Sequence, residues 1–476
     1  MRLVWLAFGS ITLLFAVAAE AEFGTASGRP PRGGPPPEAL EVCEQKQAGQ
    51  ACSFEAPHGL IEGSCRSVRE GLVCVPGSHR IGPPPQRFDD PQRMETQRNE
   101  RRPSTGPLPM PPQSRGTETG ASEEHAVELK NKVPDTGQAG CFSNRQTMPC
   151  DRVADKFNGQ DGHYRSRLGY RDNGDGSVTD LVTGLVWQQS HNVERLAYTD
   201  AAAACRELDL AGRRDWRLPT ITELFSISHW SGGEQKLYID NRYFDLREPD
   251  DKILLDDPYR STHRTSMMGQ TWSSTEYVGR IALMPSTGHV FFFNFLDGRI
   301  KSAPKQPHNR LFYRCVRGAP WGDNAFQDNH DATVTDRATG LMWQQEDDGQ
   351  PRDWSQALRY CETLKLAGYR DWRLPNVKEL QTLVDYRYHD PAIDADYFRQ
   401  QDKRGWFWSS TTHGESSGMA GYVCFGKCTS VDGEDVHGAG AQRSDPKTGN
   451  PARWRARGGQ RDETRIFNYA RCVRDV

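Results

Sequence analysis

Trp354, Ala357, Leu358, Cys361 and Leu364 recur at steps of three and four residues, which puts them on one face of a helix with polar residues between. Tyr198, Ala201, Ala202, Cys205 and Leu208 draw the same stripe 156 residues earlier. Thr199 and Ser355 are the expected helix starts, and Gly212 and Gly368 lie where the pattern must stop. A second, shorter helix follows each stripe. Thr220 with Glu223, and Asn376 with Glu379, have capping-box spacing, in which each side chain satisfies the other residue's backbone N–H. Ile221, Leu224, Val377 and Leu380 then face inward.

The two helices are joined by Asp-Trp-Arg-Leu-Pro, at 215–219 and again at 371–375. In an extended stretch Trp216 and Leu218 point one way while Asp215 and Arg217 point the other. Pro219 disfavours helix in the residue before it and sets the start of the second helix. Trp216 and Trp372 are therefore expected in the core, and the arginines beside them in ion pairs or at solvated edges. Further on the pattern alternates. His289–Ile300 reads as a hairpin turning at Asp297–Gly298. Gly421–Ser430 is its counterpart, with Cys424 and Cys428 on either side of the expected turn, close enough to bond to each other.

These correspondences belong to one long repeat. Asp172–Ile227 aligns with Asp328–Leu383 without a gap, and 26 of the 56 positions are identical. Trp-Ser-Ser-Thr recurs at Trp272 and Trp408, and Arg-Cys-Val-Arg at Arg314 and Arg471. A unit this long is a duplicated domain, because solenoid repeats span only about 20–50 residues.

The twelve cysteines suit an oxidising compartment. The shared pair in each copy lies on the buried face of the first helix and in the terminal strand, so Cys205 is expected to bond Cys315, and Cys361 to bond Cys472. Each bridge closes a loop of about 110 residues, worth ~4–5 kcal/mol in the chain-entropy model. Cys141 and Cys150 are left to close a small loop. Cys43, Cys52, Cys65 and Cys74 fall in a block with few apolar residues, expected as a mini-domain at 38–77 stapled by two disulfides in one of three connectivities. No Cys-x-x-Cys pair occurs, so no metal site is expected.

Residues 1–21, with Arg2 before the apolar run Leu3–Val17 and Ala-Glu-Ala at the end, read as a secretory signal peptide. The run is too short for a comfortable membrane span. Residues 78–135 are rich in Pro, Arg, Gln, Ser and Thr, and are expected as a disordered linker. A net charge of −3, from 60 basic and 63 acidic residues, carries no whole-chain footprint for nucleic acid.

The segments beginning at Asp172, Ala211, Trp272 and Tyr313, taken in this order, resemble the Lcl C-terminal domain family, named for a bacterial collagen-like surface adhesin. The resemblance covers both copies, 136–320 and 321–476. It implies an α+β protein of two tandem C-type-lectin-like domains, each with two helices and short antiparallel strands. For the adhesin it implies binding to sulfated glycosaminoglycans. No collagen Gly-X-Y tract is present, so a collagen stem does not carry over.

Candidate chemistry is sparse. The stretch Arg171–Asp180 looks like a calcium loop, but aligning Gly176 to the sixth position puts Arg171 and Val182 where carboxylates are needed, so a plain turn is expected. Glu248-Pro249-Asp250 is like a C-type-lectin sugar motif, yet it has no Trp-Asn-Asp partner and no counterpart in copy two. Cys424 and Cys428 could imitate the reactive pair of formylglycine-generating enzymes, but a structural disulfide fits their place better. No serine triad, His-Glu-x-x-His or phosphate-binding glycine loop occurs, so no catalytic residue, enzyme activity or cofactor is expected.

The strongest lead is an insertion. Copy two has 63 residues between Trp408 and Cys472, against 42 between Trp272 and Cys315. The added stretch carries Arg453, Trp454, Arg455, Arg457, Arg461 and Arg465, with Asp445, Asp462 and Glu463 to neutralise part of the charge. Guanidinium groups bind sulfate or carboxylate bidentately, and arginine and tryptophan on a surface loop suit an acidic sugar. The expectation is a secreted, adhesin-like binding protein for an extracellular anionic polysaccharide or glycoprotein. The alternatives are a structural or protein-interaction module of the cell envelope and, third, a cysteine oxidase.

Overall fold

The computed structural model describes residues 39, 41–44, 46–56, 59–68, 71–76, 126–192, 194–231, 237–246, 269–282, 287–414, 416–454 and 460–476. The expected signal peptide and the linker from 78 to 125 lie outside them. The chain divides into two compact units, Met1–Met94 and Glu95–Val476. In the first, three antiparallel strands, Ala51–Ala56, Gly59–Val68 and Gly71–Pro76, are stapled by Cys43–Cys65 and Cys52–Cys74. Its core is little more than those two cystines with Ala39 and Val73, so the disulfides do most of the work of a core.

In the second unit each copy of the repeat builds the same mixed architecture of small antiparallel sheets and two helices. In copy one a four-stranded sheet takes the order Val316–Arg317, Val186–Gln188, Ser177–Asp180, Tyr170–Asp172. In copy two the order is Phe326–Asp328, Thr333–Asp336, Leu341–Gln344, Val473–Asp475. Helices α1 (Tyr198–Glu207) and α2 (Ile221–Ser226) belong to copy one, α3 (Trp354–Thr363) and α4 (Val377–Thr382) to copy two. Because the terminal strand pairs with the sheet beside the first helix, Cys205 meets Cys315 and Cys361 meets Cys472. Both helix stripes face inward, with Ala201, Cys205, Trp354, Ala357, Leu358 and Cys361 all fully buried. No helix among the described residues is long and apolar enough to cross a membrane.

Several local expectations change. The helix starts fall one residue earlier than Thr199 and Ser355. Asp353 caps α3 in a capping box with Gln356, and Ala197 precedes α1 without a side-chain cap. The helices end at Glu207 and Thr363, before Gly212 and Gly368. Those glycines sit instead in two-residue turns with φ of 66° and 82°, next to Ala211 and Ala367 with φ of 55° and 53°. Positive φ at both central residues is the type I′ pattern, whose twist matches that of right-twisted strands. The Trp216 indole N–H donates to the carbonyls of Leu210 and Arg213 at 3.3 and 3.1 Å and pins this turn. In copy one the hairpin His289–Asn294 to Arg299–Pro304 turns through Gly298 with φ 62°. In copy two Met419–Cys424 pairs with Gln442–Pro446, so the Cys424–Cys428 bridge opens an excursion through residues 425–441 rather than a tight turn.

The largest correction concerns boundaries. Residues 126–135, expected within the linker, are part of the fold, with Asn131 and Val133 buried. Together with residues 136–166 this segment bridges the two copies: Trp230 N–H of copy one donates to Thr136 O at 2.7 Å and Gln138 Nε2 donates to Trp230 O at 3.0 Å, while other bonds reach copy two. Lys132 N–H donates to Thr339 O at 2.7 Å, Gln138 Nε2 to Thr412 O at 2.8 Å, and Tyr164 Oη to Glu362 Oε1 at 2.6 Å. The copies also share most of their core, although a second cluster of Ala201, Cys205, Trp216 and Trp272 belongs to copy one alone. One cluster runs from Val178, Trp187 and Phe291 in the first to Trp343, Trp372 and Trp408 in the second. Tyr277 Oη of copy one donates to Asp435 Oδ2 of copy two at 2.6 Å, and Lys378 Nζ donates to Ser226 O at 2.7 Å.

Alanine in the left-handed region costs ~1–2 kcal/mol, part of which glycine gives back as lost chain entropy. Ala211→Gly and Ala367→Gly are each expected to stabilise the protein by about 1 kcal/mol in urea unfolding. No gain at either position would contradict the turn geometry.

Candidate functional site

The repeated motifs, which carry most of the charge shared by the copies, are spent on structure. Asp215 pairs bidentately with Arg317 at 2.8 and 3.0 Å, and Asp371 with Arg474 at 2.9 and 3.0 Å. Arg217 grips Glu223 with two bonds of 2.6 Å, and Arg373 grips Glu379 with bonds of 2.6 and 2.7 Å. Trp216 and Trp372 are each 2% exposed. The first arginine of each terminal motif has a role that its sequence context did not reveal. Arg314 is buried and donates to the carbonyls of Gln188, Gln189 and Asp245, while Arg471 donates to those of Gln344, Gln345 and Arg399. Burial pulls their guanidinium groups down to about 9 and about 10.

The insertion of copy two divides its arginines between two tasks. Arg465 is structural. Its guanidinium lies 3.7 Å from the Trp406 ring centroid, pairs with Glu463 at 2.9 and 3.0 Å, and donates to Arg404 O. Trp406 in turn stacks on Tyr422 at 5.0 Å. Asp462 is also consumed, by Arg443 and by His437 Nε2 at 2.9 Å. Arg461 is 63% exposed and forms only a surface pair with Asp432, a contact worth less than about 1 kcal/mol that an anion can displace. Arg453 is exposed at the end of a short turn, Pro451–Arg453, capped by the Asn450 side chain. Trp454 is half-buried, its indole edge lying against Gly449. Arg455 and Arg457 lie outside the described residues. Among the six arginine and tryptophan candidates, the structure thus leaves Arg453 and Arg461 on the surface at either end of the stretch and removes Arg465 from it.

The other candidates resolve differently. In the calcium-like stretch, Asp172 Oδ1 accepts from Gly174 N–H and Asp175 Oδ1 from Ser177 N–H, so these oxygens hold the turn. Glu248–Asp250 lies outside the described residues. Cys424 and Cys428 are bonded to each other and are 0% and 2% exposed. Near the Trp216 turn, Asp209, Gly212, Arg213, Arg214 and Asp215 line a shallow groove of about 720 Å³. Arg214 there is already paired with Asp209.

Buried titratable groups cluster where the copies meet. Asp161 Oδ2 lies 2.8 and 2.6 Å from the hydroxyls of Thr136 and Thr411, and burial followed by the nearby Asp135 pushes its carboxyl up to about 8. Burial pulls Lys378 down to about 8, opposed by Asp135, Asp180 and Asp161. Burial also lowers Lys447, whose Nζ donates to Thr412 Oγ1 and sits 3.9 Å from the Trp354 ring centroid. His437 is pushed down to about 4 by burial and by Arg443. These groups lock elements together rather than line an open cleft.

A family model described as the Lcl C-terminal domain matches residues 176–317 and 332–443. The first match runs through the terminal strand of copy one, whereas the second stops at Arg443, before Arg453. No curated protein and no solved structure matches the chain.

Asp161 gives a signed pH dependence. Its value is raised from 3.8 to about 8 in the fold, so the fold keeps a proton that the unfolded chain has lost, and stability falls as pH rises between those limits. The unsubstituted protein is expected to lose Tm relative to Asp161→Asn from about pH 4 to about pH 8, and no further above. Parallel Tm curves would contradict the protonated carboxyl.

Proposed function

Because the chain belongs to the Lcl C-terminal domain family, with two copies of that domain in one compact unit, we propose that it is a secreted, non-catalytic protein that binds an anionic polysaccharide or glycoprotein at a cell surface. The observation that carries this reading is the arginine–tryptophan insertion. It occurs in one copy only, follows the family-matched segment, and keeps Arg453 and Arg461 exposed at either end. Guanidinium groups spaced along a loop on a rigid scaffold suit sulfate or carboxylate groups spaced along a glycan. Six disulfides and the apolar leader-like start support export. A C-type-lectin-like arrangement is the finer description of each copy, supported by two helices, short strands and a bridge from first helix to last strand. On this reading one chain offers one binding site, since the other copy has no such loop.

A protein-binding role is the second reading, supported by Val431 and Phe467, which are 42% and 45% exposed beside the same loop. The test is retention on immobilised heparin and an acidic-glycan array. Binding is expected to fall with salt, and Arg453→Ala with Arg455→Ala and Arg461→Ala is expected to weaken it about tenfold or more, ~1.4 kcal/mol or above. Arg213→Ala in the shallow groove serves as a control and leaves it unchanged. No retention on any acidic glycan at low salt would overturn the proposal, and protein partners recovered beside a blank array would favour the second reading.

A further inference from the structure

We infer that Cys141–Cys150 is a thiol–disulfide exchange site, opened by an external low-molecular-weight thiol at Cys150 Sγ, with His163 receiving the displaced Cys141 sulfur. This goes beyond the binding role and does not depend on it.

Accessibility singles out this bridge. Eleven of the twelve cysteines are 5% exposed or less, and Cys150 is the exception. Attack on any other bridge requires the surrounding core to open first. The Cys141–Cys150 bridge closes a local hairpin, in which Cys141–Phe142 pairs with Thr147–Met148, at a sequence separation of 9. Opening it needs no separation of the large sheets.

The chemistry around the sulfurs is directional. His163 Nδ1 lies 3.5 Å from Cys141 Sγ, while Nε2 lies 3.2 Å from the carbonyl oxygen of Cys150. That carbonyl can only accept, so Nε2 carries a proton and donates it, and Nδ1 faces the sulfur. A thiolate attacking Cys150 Sγ forms a mixed disulfide there and breaks the Cys141–Cys150 bond. The bonding pair leaves on Cys141 Sγ, which takes the Nδ1 proton of the imidazolium form or stays as a thiolate paired with it. A second thiol then attacks the mixed disulfide and frees Cys150 as a thiol. In balance, two external thiols become one external disulfide and the protein bridge becomes two thiols. A sulfur held by a histidinium is a better leaving group than an unassisted thiol, and faster departure speeds exchange. The polarity is fixed, with the exposed sulfur attacked and the buried, histidine-facing sulfur leaving.

The bridge is also wired to the rest of the unit. A Cβ on Gly162 would lie 2.4 Å from Gly140 O and 3.1 Å from Cys150 Sγ, so the turn Asp161–His163 presses directly on the hairpin. Asp161 of that turn contacts Thr411 of copy two. Exchange at Cys150 therefore acts on the segment that ties the start of the unit to its second copy.

The full-length protein would be incubated with glutathione under native conditions, quenched with an alkylating reagent over time, and mapped by peptide mass spectrometry. Cys141 and Cys150 are expected to open before any other pair. His163→Gln keeps an amide donor for Cys150 O but no proton for the sulfur, and should slow this opening about tenfold without changing the other bridges. The inference is overturned if another pair opens first in the unsubstituted protein, which is decided without any variant. It is equally overturned if folded His163→Gln and His163→Ala proteins exchange at the unsubstituted rate throughout.

Discussion

A buried carboxylate at the start of each second helix sets the geometry of everything around it. Glu379 is fully buried. It accepts two bonds from Arg373 of the Asp-Trp-Arg-Leu-Pro strand, one from the Asn376 N–H of its own helix cap, and one from the Asn131 side chain of the incoming segment. Glu223 does the same with Arg217, Thr220 N–H and the Trp321 N–H. Removing one partner of such a buried pair typically costs about 3–5 kcal/mol, because the other charge is stranded. The carboxylate thus permits one register of strand against helix, and the oxygen facing the arginine's second nitrogen also accepts from a third element. In each case that element is the peptide preceding the other copy. The hub explains why the repeat is conserved within the chain as a phrase, and why two copies make one body.

That constraint also explains what was legible from residue patterns. Capping boxes, the helix stripes with Cys205 and Cys361, the burial of Trp216 and Trp372, and the turn at Asp297–Gly298 depend on neighbours within a few residues. Spacing alone therefore exposes them. The long-range bridges were legible because duplication marks each cysteine twice. Illegible were the contacts made by one copy's peptide on the other. Residues 126–135 are polar and poor in aromatics, like a linker, yet Asn131 is buried because Glu379 and Asp475 satisfy its amide. In copy two aspartate and serine are both good caps, and only the backbone decides between Asp353 and Ser355; in copy one the start at Tyr198 has no side-chain cap to mark it.

The candidate loop shows the same limit. Composition marks Arg453 to Arg465 as basic, but composition does not say which acid each arginine meets. Arg465 is held by Glu463 and the Trp406 face, whereas Arg461 has only an exposed aspartate. The excursion through residues 425–441 was likewise counted only as extra length. Its Asp435 accepts from Tyr277 of copy one, so part of the insertion seals the junction between the copies. The copies diverge in this stretch, and the shared motifs supply the scaffold beneath it.

Native-state hydrogen exchange, resolved by peptide and run against increasing denaturant, tests the fused architecture most directly. Amides of α1 and α2 report copy one, and those of α3 and α4 report copy two. One cooperative body predicts that both sets converge on the same opening free energy and the same denaturant dependence. Exchange of one copy at a lower denaturant concentration while the other stays protected would contradict it.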